Sequence, residues 1–257
     1  MILQYKNIPL FYTDKGQGQA VVLLHGFLEN SSMWDFIIPE LDNSHRVICI
    51  DLLGHGQSGC LGYVHTMEDM ADAVQAVLQH LHIKYYVSIG HSMGGYVALA
   101  LAKKTPQALK GLCLMNSTYE ADDEARKALR KRANTIAQTN YENLVRLSFI
   151  NLFSEESRSK FKTQIELGLQ QALKTPPQGY MAAQRGMMLR PDSFKIMKAL
   201  YVKKLIILSQ KDPVMDIENM IITLKETNIG YEELHKGHMS HIENKSELTY
   251  ILKRFIE

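Results

Sequence analysis

Cysteine, excess charge of either sign and long apolar runs are what this chain of 257 residues has least of. Its three cysteines, Cys49, Cys60 and Cys113, are too few and too far apart for a disulfide scaffold. Cys49 and Cys113 lie within apolar runs, where a thiol behaves as a small buried hydrophobe. The 29 basic residues nearly cancel the 27 acidic ones, for a net charge of +2. That balance gives no electrostatic handle for nucleic acid or an anionic membrane, so neither is expected as a partner. No apolar run approaches the roughly 18 residues of a membrane span. The opening segment, MILQYKNIPLFYTDKG, has neither the charged start nor the apolar core of a secretion signal, and a cytoplasmic location is expected. Internal repeats and low-complexity segments are missing as well.

What remains is ordinary globular composition, 46% hydrophobic and 22% charged. The length suits one domain, with or without a sizeable insertion. A chain of this size buries roughly three-quarters of its unfolded surface, so it needs neither disulfide nor metal to stay folded.

Two short alternating segments, 2–6 and 8–13, read as an antiparallel hairpin turning at Asn7. Continuous apolar runs follow at 20–24, 46–50, 85–89, 110–115 and 204–208, the pattern of strands buried on both faces of a parallel sheet. A more polar run at 231–235 suits an edge strand. Between them, 66–82 sets Met67, Met70, Ala71, Val74, Val77, Leu78 and Leu81 in one helical stripe, with Thr66 and Asp69 placed to start it. Segments 93–103 and 217–225 also read as helices, the second capped by Asp216. The alternation breaks from about 118 to 200. That stretch contains only helical patterns (121–139, 141–153, 157–173 and 179–188), so an all-helical insertion beside the sheet is expected.

The strongest chemical signal is Gly90-His91-Ser92-Met93-Gly94. Gly-x-Ser-x-Gly alone is common, but here it follows a buried strand and opens a helix, the setting of a nucleophile elbow. Gly90 and Gly94 leave room for the tight turn that lifts the Ser92 hydroxyl to the carboxyl edge of the sheet. A serine needs a base, and on such a sheet the order is Ser, then Asp or Glu, then His. Asp212 stands just past the strand at 204–208, with Asp216 the competitor. His238 follows Gly237 in the loop after the last strand, with His241 the runner-up. The spacing of His235, His238 and His241 raises a metal site, but a strand running into a Gly loop does not align such ligands, and no metal is expected. Acyl transfer also needs donors for an oxyanion. The N–H of Met93 is one. The N–H of Phe27 is the other, in the loop His25-Gly26-Phe27 after the first buried strand, where the His25 side chain is expected only to brace the turn.

These motifs, with Asp51-Leu52-Leu53-Gly54-His55-Gly56-Gln57-Ser58, Gly95 and Glu243, together resemble the α/β-hydrolase superfamily over nearly the whole chain outside the insertion. The resemblance implies an α/β fold with a mostly parallel eight-stranded sheet. Its core would be residues 1–117 and 201–257, and 118–200 a helical cap between the sixth and seventh strands. Leu53, Ser209 and Lys245 depart from the usual loop residues without touching the triad. Serine at the elbow argues against carbon–halogen and epoxide cleavage, which use aspartate.

A small-molecule ester or other acyl substrate is expected, cleaved through an acyl-enzyme on Ser92 without a cofactor. Two alternatives stay open: carbon–carbon hydrolysis or a lyase step at the same triad, and a non-catalytic receptor of the same fold. The basic run Arg126, Lys127, Arg130, Lys131 and Arg132 could meet an acidic carrier protein or an anionic substrate. Preceded by Glu120, Asp122, Asp123 and Glu124, it reads better as a solvated helix face. Met181, Met187 and Met188 read as packing before pocket lining, and Trp34 as an anchor for a helix.

Overall fold

Each apolar run becomes a strand whose successive side chains enter different layers. In the computed structural model, which describes residues 1–257, the strands are β1 (Ile2–Tyr5), β2 (Ile8–Lys15), β3 (Gln19–Leu24), β4 (His45–Ile50), β5 (Tyr86–His91), β6 (Leu109–Met115), β7 (Lys203–Ser209) and β8 (Gly230–Leu234). They form one eight-stranded sheet in the order β1-β2-β4-β3-β5-β6-β7-β8. The β1–β2 and β2–β4 pairs are antiparallel, and every other pair is parallel. Lys6 and Asn7, with φ of 46° and 67°, form the primed turn that suits the twist of the opening hairpin.

The helices are α1 (Ile38–Leu41), α2 (Met67–His80), α3 (Met93–Lys104), α4 (Glu124–Ala137), α5 (Tyr141–Ile150), α6 (Glu155–Lys160), α7 (Lys162–Ala172), α8 (Pro177–Leu189), α9 (Phe194–Ala199), α10 (Ile217–Leu224), α11 (Ser240–Glu243) and α12 (Lys245–Ile256). Val22, Leu24, Ile48, Leu112 and Ile206 pack under the stripe of α2 and under Val97 and Leu101 of α3. Their neighbours Val21, Leu23, Val47, Ile89 and Ile207 pack on the other face, against Trp34, Ile38 and the α12 residues Leu248, Leu252 and Phe255. Adjacent positions of one strand thus serve opposite cores, as the period of two requires. No helix is long and apolar enough to cross a membrane.

Six helices, α4 to α9, lie between β6 and β7. They share a third core (Val145, Phe149, Phe153, Ile165, Leu169 and Tyr180) with Leu28 and Met239, which come from loops at the carboxyl edge of the sheet. The helical pattern at 157–173 is not one helix: it breaks at Phe161 (φ −111°, ψ 33°), whose ring packs against that third core. Helix α12 is absent from the elements read from sequence, although Leu248, Ile251, Leu252 and Phe255 carry the same three-and-four spacing and are all buried.

Topology places the site. From β3 the chain crosses by α1 to β4, on the Trp34 side; from β5 it crosses by α3 to β6, on the other. β3 and β5 are hydrogen-bonded neighbours, so the loops leaving their carboxyl ends diverge and open a crevice there. Those loops begin at His25 and at Ser92.

Candidate active site

Ser92 sits between β5 and α3 with φ 50° and ψ −116°, a conformation that non-glycine residues rarely adopt. The turn holds because its neighbours over-determine it. The Ser92 N–H donates to the Met115 carbonyl at 2.9 Å, and the Ser117 hydroxyl donates to the Ser92 carbonyl at 2.7 Å. A Cβ at Gly90 would stand 2.3 Å from the Gly94 carbonyl oxygen, and one at Gly94 would stand 2.3 Å from that of Leu24. Both positions must therefore be glycine for α3 to start this close to β3 and β5.

Three side chains named from sequence come together at this point. Ser92 Oγ lies 2.9 Å from His238 Nε2, and His238 Nδ1 lies 2.7 Å from Asp212 Oδ2. A carboxylate only accepts, so Nδ1 carries the proton and Nε2 is free to receive the one on Ser92. Asp212 also accepts from the Val214 N–H (2.8 Å) and from Asn116 Nδ2 (3.0 Å). Burial would raise its pKa, but His238 and these donors outweigh burial and hold it below the ordinary carboxylate value. The competitor Asp216 caps α10 instead.

The other named residues fall around this line. The Gly26 carbonyl accepts from the Glu29 N–H at 3.2 Å, closing a tight turn across Phe27 and Leu28, the latter at φ 64°. The Phe27 N–H meets no acceptor in the chain. The Met93 N–H is in the first turn of α3, where amides have no intrahelical partner. His25 holds two backbone groups, donating from Nδ1 to Gly26 O and accepting the Leu52 N–H at Nε2, both at 2.8 Å. Asp51 accepts the N–H groups of Ser31 and Gln57, fixing the loop through Gly54 and Gly56, both at positive φ. The histidines spaced by three diverge: His235 faces Gln210, His238 faces Asp212 and Ser92, and His241 packs toward Glu29. Glu243 accepts the Met239 N–H and both the N–H and hydroxyl of Ser154, tying the His238 loop to the inserted helices.

Residues 19–245 match the family model described as the alpha/beta hydrolase fold. The chain belongs to that family. A thermophilic esterase from Thermogutta terrifontis superposes on all of this chain and 97% of its own, with a TM-score of 0.90 and 30% identity. The 3-oxoadipate enol-lactonase 1 of Acinetobacter baylyi is 25% identical over 255 residues, 99% of this chain and 94% of that one. A second A. baylyi enzyme, (E)-2-((N-methylformamido)methylene)succinate hydrolase, is 28% identical over 132 residues, 51% of this chain. The chain thus matches only half (50%) of that relative's length, and less of several other curated relatives.

This α/β hydrolase carries a buried ion pair beside the Ser92–His238–Asp212 line. Glu29 Oε2 lies 2.6 Å from His91 Nδ1, and His91 Nε2 lies 3.0 Å from the His238 carbonyl oxygen. Carboxylate and carbonyl both accept, so both ring nitrogens must donate and His91 is an imidazolium. Burial pushes its pKa down, but Glu29 more than offsets that and raises it. Burial likewise pushes Glu29 up, and His91 with its neighbours brings it down to about 2. Glu29 Oε2 also takes the Gly26 N–H at 2.7 Å. No local spacing signals this pair, because its members stand 62 residues apart. Asn116 was missed for the same reason, although its place at the carboxyl end of β6, on the edge that holds Ser92 and Asp212, was a usable signal.

Burial lowers four other histidines, His25, His55, His65 and His241, and so sets the acid limit of the fold. Burial lowers His55 to about 3 and His241 to about 4. Unfolded, each takes a proton near pH 6.5, so between those values the unfolded chain binds more protons and stability rises with pH. His91 acts oppositely: its contribution is complete below pH 6.5 and is lost as pH rises through its raised value. Maximum stability is therefore expected near neutrality. Falling from pH 7 to 5 should cost roughly 4 kcal/mol through His55 and His241 together, a Tm lower by about 10 °C. Thermal unfolding followed by circular dichroism checks this, and a flat Tm across that range contradicts it.

The cavity at Ser92 is about 110 Å³, lined by Phe27, Tyr96, Arg130, Leu152, Met187, Val214 and His238 among others. Arg130 and Met187, from the inserted helices, and Leu152, from the turn after α5, complete the wall over the triad. Met187, read from sequence as packing before pocket lining, is both buried in the core and part of this wall.

Proposed function

We propose that this α/β hydrolase cleaves carboxylic esters, including lactones and thioesters, through an acyl-enzyme on Ser92. The observation that carries the reading is the continuous hydrogen-bonded line from Ser92 Oγ through His238 to Asp212. His238 Nε2 takes the hydroxyl proton as Ser92 Oγ attacks the carbonyl carbon. Asp212 holds the tautomer and stabilises the imidazolium that forms. The Phe27 and Met93 N–H groups receive the developing oxyanion, each such donor being worth about 3 kcal/mol of barrier. The C–O bond to the leaving group (C–S in a thioester) then breaks, and His238 returns the proton to the departing oxygen or sulfur. Water, deprotonated by His238, attacks the acyl carbon; the ester bond to Ser92 breaks and the hydroxyl is restored. Every step uses this chain's own groups. The ester reading is supported by what relatives are named for: an enol-lactonase, a thermophilic esterase, and the pimeloyl-[acyl-carrier protein] methyl ester esterase of Sodalis glossinidius, 35% identical over 112 residues.

Two measurements test it together. One is hydrolysis of p-nitrophenyl esters from acetate to decanoate, and the other is mass-spectrometric mapping of an active-site phosphonate. The small cavity predicts fastest turnover of short acyl chains and phosphonate on Ser92. Turnover of vinylogous diketones with none of esters would transfer the triad to carbon–carbon cleavage. An unlabelled Ser92 would remove the nucleophile from the reading altogether.

A further inference from the structure

The basic run on α4 is not one solvated face. Lys131 and Arg132 are exposed, and Lys127 pairs with Glu124 at the surface. Arg126 donates to the Val214 carbonyl. Arg130 turns inward, its side chain only 17% exposed, and lines the cavity that holds Ser92. Its nearest carboxylate, Asp122, is fully buried and already shared: Arg130 Nε lies 2.6 Å from Oδ2, and Arg190 Nη1 lies 2.8 Å from Oδ1. One anion thus serves two guanidinium groups.

The surplus positive charge can be placed on one of them. Arg190 lies over the Tyr96 ring at 4.0 Å and donates to the Glu120 and Met187 carbonyls, so it is spent on holding the chain. Arg130 has five N–H donors. Nε is committed to Asp122, one Nη1 hydrogen to Gln184 Oε1 at 2.8 Å, and one Nη2 hydrogen at most to a long 3.5 Å contact with Asp122. One donor on each terminal nitrogen remains, two charge-assisted donors for a carboxylate. The one carboxylate lining the cavity, Glu29, is matched by His91, and Phe27, Tyr96, Leu152, Met187 and Val214 offer no counter-charge. A partly buried guanidinium without a full counter-ion is costly unless something supplies the missing charge.

We propose that Arg130 binds a carboxylate on the substrate, so that the esters cleaved at Ser92 are short acidic ones, such as half-esters of dicarboxylic acids and lactones bearing a free carboxylate. The proposal rests on the ester reading above and narrows it. Arg130 is a specificity-determining residue here and takes no part in bond breaking.

The test compares methyl half-esters of succinate, glutarate and adipate with the matching half-amides, whose uncharged end has nearly the same shape. Proton release in a pH-stat reads kcat/KM. In the wild type the half-ester of the best chain length should lead its half-amide by tenfold or more. In Arg130→Gln that ratio should fall to near one, with Arg130→Lys between. Because Arg130→Gln also loosens Asp122, free glutarate provides a second readout in the wild-type protein. It should raise Tm and slow phosphonate labelling of Ser92, while glutaramide does neither. Equal rates for half-ester and half-amide, or glutarate without effect on the wild type, overturn the proposal while leaving ester cleavage intact. Failure of every ester, with glutarate still raising Tm through Arg130, would instead remove the ester reading and keep the anion site.

Discussion

Ser92→Ala should lower kcat on the best p-nitrophenyl ester by about 10⁵- to 10⁶-fold while leaving Tm within a few degrees of the wild type. The asymmetry follows from the elbow. Residue 92 keeps its positive φ because Gly90, Gly94 and the bonds to Met115 and Ser117 impose it, and alanine meets the same backbone constraint as serine. The hydroxyl contributes one hydrogen bond, to His238, worth about 1 kcal/mol to the fold. It contributes everything to nucleophilic attack, since no other hydroxyl or thiol lines the cavity except the Tyr96 phenol, which has no partnered base. The donors at Phe27 and Met93 survive the change, so a residual rate above the uncatalysed one and a KM within a few-fold are expected. Steady-state kinetics beside a thermal melt checks both halves. A variant that lost activity by melting would show a large Tm shift instead.

Asp212→Asn should cost about 10³- to 10⁴-fold in kcat, and the reason lies in how the carboxylate is surrounded. Oδ2 accepts from His238 Nδ1 and Asn116 Nδ2, and Oδ1 accepts from the Val214 N–H. An amide has one oxygen. Turned toward His238, it preserves the tautomer but sets its NH₂ against the Val214 N–H. Turned the other way, it faces two donors with a donor, and His238 must move its proton to Nε2, where it can no longer accept from Ser92. In either orientation the negative charge that stabilises the imidazolium is gone. Asp212→Asn should therefore remain folded, bind phosphonate slowly and turn over poorly, with the deficit mostly in kcat. A loss below tenfold would mean that His238 is oriented mainly by other contacts.

These expectations concern residues that could be found from spacing alone. The buried strands, the Gly-x-Ser-x-Gly turn, Asp212 past β7 and His238 past β8 were legible because each is a local event: an apolar run, then a change of chain direction. Helix α12 is equally legible, since Leu248, Ile251, Leu252 and Phe255 make a stripe of the same spacing. The break at Phe161 is not legible, since a helical pattern does not say which aromatic will leave it for a neighbouring core. Arg130 shows the same limit sharply. Its neighbours Lys131 and Arg132 do face solvent, and only the position of Asp122, Arg190 and Gln184 in space separates it from them. Glu29, His91 and Asn116 act between loops far apart in sequence, where no periodicity operates.

The Glu29–His91 pair has a consequence for transplanting parts between hydrolases. Position 91 is nominally the free letter of the Gly-x-Ser-x-Gly pentapeptide, yet here its ring holds the His238 loop by the His238 carbonyl and the Gly26–Leu28 turn by way of Glu29 and the Gly26 amide. The elbow is therefore not a detachable cassette. An elbow grafted from a homologue with an uncharged residue at that letter would strand a buried glutamate, and one grafted elsewhere with its histidine would arrive without an anion. Positions 29 and 91 form a single structural unit, to be moved, mutated or designed together.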